Sequence, residues 1–298
     1  MLTFRPFELA HKPMIDTYFK AYPYNCSEFT FANVLMWGQD GKLTWAERDG
    51  ALYVKLKFGM HAPFMFPPLI KDFDREYIRV VDVALRYFRQ NGFMPRFRSV
   101  NGPYVELFQK NYPQLSLTLD RDNCDYVYLA EDLINLSGRK LHAKRNHIHQ
   151  FTSQYAYEYI PLTPDLADDC MRLYLSWLED KNVNEPGILG EMKAIQILLP
   201  NMDVLGVKGG CIFVRDKLVA FSLGEKIRDD LAVIHIEKAD SSLPGLYAVI
   251  NQQFAANEWA DVIYINREED MGIPGMRKAK LSYRPHMLVE KYDAIWRP

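Results

Sequence analysis

The dipeptide Asp49-Gly50 stands between two alternating apolar runs, Leu43 to Glu47 and Ala51 to Lys57, and this is the local signal that most limits the fold. A two-residue turn of this kind needs backbone angles that Gly and Asp tolerate, and it joins antiparallel strands. The same device recurs at Arg215-Asp216-Lys217, between Cys211 to Val214 and Leu218 to Gly224. Around the first hairpin the sequence predicts helices Lys12 to Lys20 and Ser27 to Trp37. After it come a helix with Ile78, Val81, Leu85 and Phe88 on one face, a strand Arg96 to Val100, a short helix Pro103 to Gln109 and a strand Leu115 to Leu119. Around the second hairpin it predicts helices Arg139 to Phe151, Pro164 to Glu179 and Gly190 to Leu199. Next are a strand Ala232 to Glu237, a helix Gly245 to Asn257, a strand Val262 to Asn266, a short helix Gly275 to Leu281 and a strand His286 to Lys291. Both halves run helices, hairpin, strand, helix, strand, short helix, strand. That order implies an α+β chain of two structurally duplicated units, residues 1–122 and 123–298, each a mixed, mainly antiparallel sheet flanked by helices.

The 298 residues are 48% hydrophobic and 25% charged, enough for two cores of ordinary size. The net charge of −2 gives no global attraction to nucleic acid or anionic lipid, so such a partner must meet a local basic patch. Cys26, Cys124, Cys170 and Cys211 form no Cys-x-x-Cys pair, which excludes a cysteine-rich zinc site and a disulfide framework and fits a reducing cytoplasm. The N-terminus has no signal-peptide pattern, and no apolar run reaches the ~18 residues of a spanning helix, so no membrane insertion is expected.

Chemistry-bearing residues collect in the second half. His235 and Glu237 lie two apart near a strand end and, by alternation, are expected on one face. Glu237 is a candidate general base, with His235 as an alternative base or as its orienter; the competing reading is a buried ion pair of Glu237 with Lys238, Arg267 or Arg277. Arg267, Glu268, Glu269 and Asp270 form a charged turn, which either recognises an amino group or is a solvated turn. Beyond it, Gly275 opens a helix whose Arg277, Lys278 and Lys280, with Arg284, offer free N–H groups and positive charge to an anion, or simply balance the acidic turn. Lys144 and Arg145 add charge on an earlier helix. His142, His147 and His149 on that helix lack the His-x-x-x-His spacing, and no metal site is expected.

The element order resembles the GNAT acyl-CoA N-acyltransferase fold, and two such units in tandem resemble FemABX transferases and the soluble domain of phosphatidylglycerol lysyltransferases. Lys140-Leu141-His142-Ala143-Lys144-Arg145-Asn146 is similar to the Lys-Arg-Asn helix that opens the second unit in that group, and Gly275-Met276-Arg277-Lys278-Ala279-Lys280 with Tyr283-Arg284-Pro285 to its closing segment. The resemblance implies a cytoplasmic aminoacyl or acyl transferase acting from charged tRNA on a small-molecule or peptide amine, or on a hydroxyl, with no permanently bound cofactor. In that scheme Glu237 takes the proton and Asn266 or a backbone N–H steadies the tetrahedral oxyanion. Arg277, Lys280 and Arg284 hold donor phosphates, with Lys144, Arg145 and Lys278 nearby, while Arg267 to Asp270, Gly275 and Tyr283 bind substrate. Of the glycine-rich loop that holds the CoA pyrophosphate in CoA-dependent members, Ala239 to Gly245 keeps only Gly245. An acyl-CoA donor and a non-catalytic RNA- or anion-binding module are the alternatives.

Overall fold

A computed structural model describes residues 1–21, 25–71, 77–179 and 188–297. The chain forms two compact units, one from Met1–Asp125 with Val289–Pro298, the other from Tyr126–Leu288.

The first unit holds a sheet ordered Arg5–Pro6, Leu43–Arg48, Ala51–Leu56, Phe64–Met65, Arg96–Val100, Tyr292–Trp296 and Leu115–Leu119. Asp49 and Gly50 take φ of 54° and 77°, as the hairpin reading requires. Three expectations are corrected here. The second helix starts at Phe31, capped by the Thr30 side chain on the Asn33 N–H, because the Ser27 N–H and hydroxyl are spent on Asp125. The helix Tyr77–Gln90 buries Val81, Leu85 and Phe88 as expected but turns Ile78 to solvent, with Tyr77 and Ala84 completing the buried face. The last residues belong to this unit and not to the second. Tyr292–Trp296 pairs antiparallel with both Arg96–Val100 and Leu115–Leu119, filling the gap between them. Lys291, 1% exposed at its side chain, anchors that return, 2.6 Å from Asp125 Oδ1 and 2.6 Å from Glu28 Oε2.

The second unit has a seven-stranded sheet ordered Met287–Val289, Asp125–Leu129, Tyr264–Asn266, Leu231–Ala239, Lys217–Arg228, Val207–Val214 and Glu158–Pro161. Leu231–Ala239 runs antiparallel to Lys217–Arg228 and parallel to Tyr264–Asn266. The helix Leu246–Glu258 covers one face, with Leu246, Val249 and Ile250 on Ala220 and Ala239, and Phe254 on Ala232 and Ile234. Gly245 enters that helix at φ +89°, where a Cβ would lie 2.0 Å from the carbonyl oxygen of His147 on the helix His142–Thr152. Only glycine allows the two helices so close, which accounts for this residue without any ligand.

Candidate active site

Parallel pairing stops at Val233 opposite Asn266, so the remaining residues of Leu231–Ala239 diverge from that neighbour and leave a notch. Within it the register against the other neighbour slips: Leu223 pairs with Ile236 and Gly224 with Ile234, making His235 the extra residue of a β-bulge. The bulge resets alternation. Ala232, Ile234, Glu237 and Ala239 face the helix Leu246–Glu258, where Glu237 Oε2 accepts from Asn251 Nδ2 at 2.9 Å. His235 points to the opposite face, so the expected shared face of His235 and Glu237 is wrong.

His235 lies between two carboxylates, Nδ1 2.7 Å from Glu268 Oε1 and Nε2 3.0 Å from Glu225 Oε1, with its side chain 0% exposed. Burial favours the neutral ring, but the two carboxylates outweigh it and bring its pKa up to about 10. A charged imidazolium with both nitrogens engaged is a clamp, so the base role considered for His235 falls. Its single charge is shared between Glu225 and Glu268.

The charged turn is bound rather than solvated. Asn266, fully buried, uses Oδ1 to accept the Glu268 N–H at 2.7 Å, and this holds Glu268 at φ +57°. Lys280 donates to the carbonyl oxygens of Arg267 and, at 2.6 Å, of Glu269. Asp270, also fully buried, accepts from Arg277 Nε at 2.8 Å and Nη2 at 2.7 Å, from the Gly272 N–H at 2.9 Å and from the Tyr126 hydroxyl. Burial alone would raise its pKa; these donors, Arg277 first, bring it down to about 2. Asp270, Arg277 and Lys280 therefore shape the loop, and Arg145 does the same elsewhere by donating to the carbonyls of Leu136 and Gly138. Lys278 and Arg284 are exposed beside a groove of 470 Å³ lined also by Gly272, Pro274 and Leu281. Gly275 sits in open space, with nothing near its would-be Cβ.

What this network leaves open lies on the helix-covered side of the notch. Arg267 Nη2 donates to Glu237 Oε1 at 3.0 Å, but its Nη1 is buried with no hydrogen-bond partner, as is Asn251 Oδ1. Both Glu237 oxygens are thus already accepting, and the ion pair with Arg267 is one of the arrangements the sequence leaves open. Lys144, half-buried on the helix His142–Thr152, places Nζ 3.9 Å from the centroid of the Tyr283 ring and has no hydrogen-bond or ion-pair partner among the described residues. The Arg267 guanidinium stands over the same ring at 4.8 Å and over Tyr128 at 5.7 Å. Burial first and the Arg267 charge second lower the Lys144 pKa to about 8, against a smaller opposing pull from Glu237. Tyr283 is buried, and its pKa is pushed up to about 12 by that burial.

An amine that is partly neutral near physiological pH can take a proton, and a guanidinium on the same ring can steady an oxyanion. Asn251, Glu225, Tyr126 and Tyr128 escape the sequence reading. The visible trace of Asn251 is a polar residue directly after Ile250 on an apolar helix; the two tyrosines alternate along a strand absent from the predicted order. In the loop between Ala239 and Gly245, Asp240 takes the Ser242 N–H on Oδ1 at 2.9 Å and the Leu243 N–H on its carbonyl at 3.2 Å. Asp240 thus engages two of the backbone donors there with its carboxylate and its carbonyl.

A conserved protein of unknown function from Bacteroides thetaiotaomicron is 33% identical over 100% of both chains, with a TM-score of 0.92. L-PGS from Bacillus licheniformis, at 13% identity over 95% of this chain and 91% of its own, shares the fold at a TM-score of 0.66. A tandem GNAT protein from the clavulanic acid biosynthesis pathway does so at 0.54, with 9% identity over 100% of this chain and 99% of its own. Each unit is thus GNAT-like, in the tandem arrangement that the element order implies. A curated relative, the uncharacterised protein MYCGA3080 of Mycoplasmoides gallisepticum, is 23% identical over 177 residues, 58% of this chain and 56% of that protein, so the match spans little more than half the relative's length. Among the described residues no helix is long and apolar enough to cross a membrane. The model of the phosphatidylglycerol lysyltransferase C-terminal family matches residues 19–295, and the chain belongs to that family.

Proposed function

We propose that this protein transfers an aminoacyl group from charged tRNA to an amine or hydroxyl acceptor, at the notch of the second unit. The observation that carries this reading is Lys144 Nζ, without a hydrogen-bond partner among the described residues, on the Tyr283 ring that also meets the Arg267 guanidinium, whose buried Nη1 has no hydrogen-bond partner. The acceptor lone pair attacks the ester carbonyl carbon. The carbonyl oxygen becomes an oxyanion that Arg267 Nη1–H meets, while neutral Lys144 takes the acceptor's proton. Collapse breaks the bond from the carbonyl carbon to the ribose oxygen, and that oxygen takes the proton from Lys144. Glu237, itself held by Asn251, holds Arg267 in place, which moves the proton-accepting role off Glu237. Asn266 holds the loop by accepting the Glu268 N–H, and the oxyanion is placed on Arg267 in its stead. Lys278 and Arg284, exposed beside the groove, contact phosphates of the donor.

Membership of the family supports the aminoacyl chemistry, and the engaged donors between Ala239 and Gly245 favour it over an acyl-CoA donor. The test is transfer of a labelled amino acid from bulk charged tRNA to amines in a cell extract, with acyl-CoA donors in parallel. Transfer from tRNA alone is expected. Transfer from acyl-CoA alone would replace the donor, and binding of RNA without turnover would replace the enzyme reading with that of a binding module.

A further inference from the structure

The geometry points to Lys144 as a self-acylation site: with no acceptor bound, its own Nζ takes an acyl group from an activated ester, and the modified protein is switched off. This rests on the notch being the transfer site, but not on the identity of the donor. Lys144 is half-buried, unlike the fully exposed lysines, so its amine is reachable yet freed from a full water shell. Nothing within the described residues hydrogen-bonds it, so its lone pair is tied to no donor. The charged groups that act on it are Arg267 after the strand Tyr264–Asn266, and Glu237 on Leu231–Ala239. Tyr283, after the helix Pro274–Ser282, supplies the ring beneath it. Arg267 disfavours the ammonium, and its buried Nη1 has no hydrogen-bond partner.

The step balances without a further reactant. Neutral Nζ attacks the acyl carbon, the carbonyl oxygen becomes an oxyanion beside Arg267 Nη1–H, and the bond to the leaving oxygen or sulfur breaks. The proton lost from Nζ goes to the leaving group, and the product is an amide. An amide nitrogen neither carries charge nor accepts a proton, so the product lacks the group that the transfer reaction uses.

The experiment treats the full chain at pH 7.5 with acetyl phosphate, with an acetyl thioester and with aminoacylated tRNA, and follows each lysine by peptide mass spectrometry. Lys140 and Lys278, both exposed, are internal references. The larger neutral fraction of Lys144, offset by its weaker nucleophilicity, gives an expected rate roughly ten-fold above the references. Glu237→Gln releases the anchor of Arg267 and lowers the rate. Arg267→Gln brings it down toward the references, and circular dichroism confirms the fold of each variant. Acetylation of Lys144 no faster than Lys278 in the folded wild-type chain overturns the inference. Labelling by the small esters with no transfer from tRNA supports this inference while removing the tRNA reading. Transfer from tRNA with Lys144 unmodified does the reverse.

Discussion

Replacing His235 by Gln removes the cation between Glu225 and Glu268 but keeps a side chain of comparable size. The imidazolium side chain is 0% exposed, and the two carboxylates are 10% and 14% exposed, so the variant leaves two like charges facing each other in a place water barely reaches. Breaking one partner out of such a group costs about 3–5 kcal/mol. Linkage gives a similar figure. The folded pKa of about 10 lies above the ordinary value of 6.5, and the span is worth on the order of 5 kcal/mol of stability. Because the folded value is raised, this contribution is fully present below pH 6.5 and is lost as pH rises through 10. At pH 7 the variant should melt roughly 10 °C lower for a unit of this size, and the gap should shrink by more than half by pH 9. Thermal unfolding by circular dichroism at pH 7, 8 and 9 measures both. A variant that melts within about 2 °C of wild type at pH 7, or a gap that stays constant with pH, would refute the clamp.

Gly245→Ala should cost more than about 2 kcal/mol, because φ +89° and a Cβ 2.0 Å from the His147 carbonyl oxygen cannot both be relieved by side-chain motion; urea unfolding reads it. Asp270→Asn leaves the Arg277 guanidinium without its anion and should lower stability by about 2–3 kcal/mol at neutral pH. Since the Asp270 pKa is depressed to about 2 from 3.8, that difference should persist above pH 3.8 and vanish as pH falls through 2. Deleting Val289–Pro298 removes the strand between Arg96–Val100 and Leu115–Leu119 and should unfold the first unit, seen as loss of amide-exchange protection in those two strands.

Local turn chemistry carries a long way in this chain. Asp49-Gly50 predicts its hairpin because the required φ values are a property of two residues, and helix periodicity finds Tyr77–Gln90 for the same reason, although it misassigns Ile78. What is hidden depends on partners distant in sequence. The bulge at His235 arises from a register between Leu231–Ala239 and Lys217–Arg228 that no local pattern encodes, and it separates two residues that alternation would join. The return of Tyr292–Trp296 is hidden likewise, since a strand inserted between two others reads like any strand. The charged tail of the chain attracts attention as a ligand site, yet most of its charge is spent inside the protein: Asp270 on Arg277, Glu268 on His235, Lys280 on two carbonyls. Composition reveals charges but not their pairing, and only pairing separates Lys144 and the Nη1 of Arg267 from the rest.

The central claim is that these two residues perform the transfer, and single-turnover transfer from charged tRNA by wild type, Lys144→Met and Arg267→Gln tests it most directly. The account predicts a loss of at least about 100-fold in each folded variant, with wild-type turnover rising with pH through about 8 as Lys144 gives up its proton. Transfer at near wild-type rates by folded Lys144→Met, with an unchanged pH profile, would contradict it.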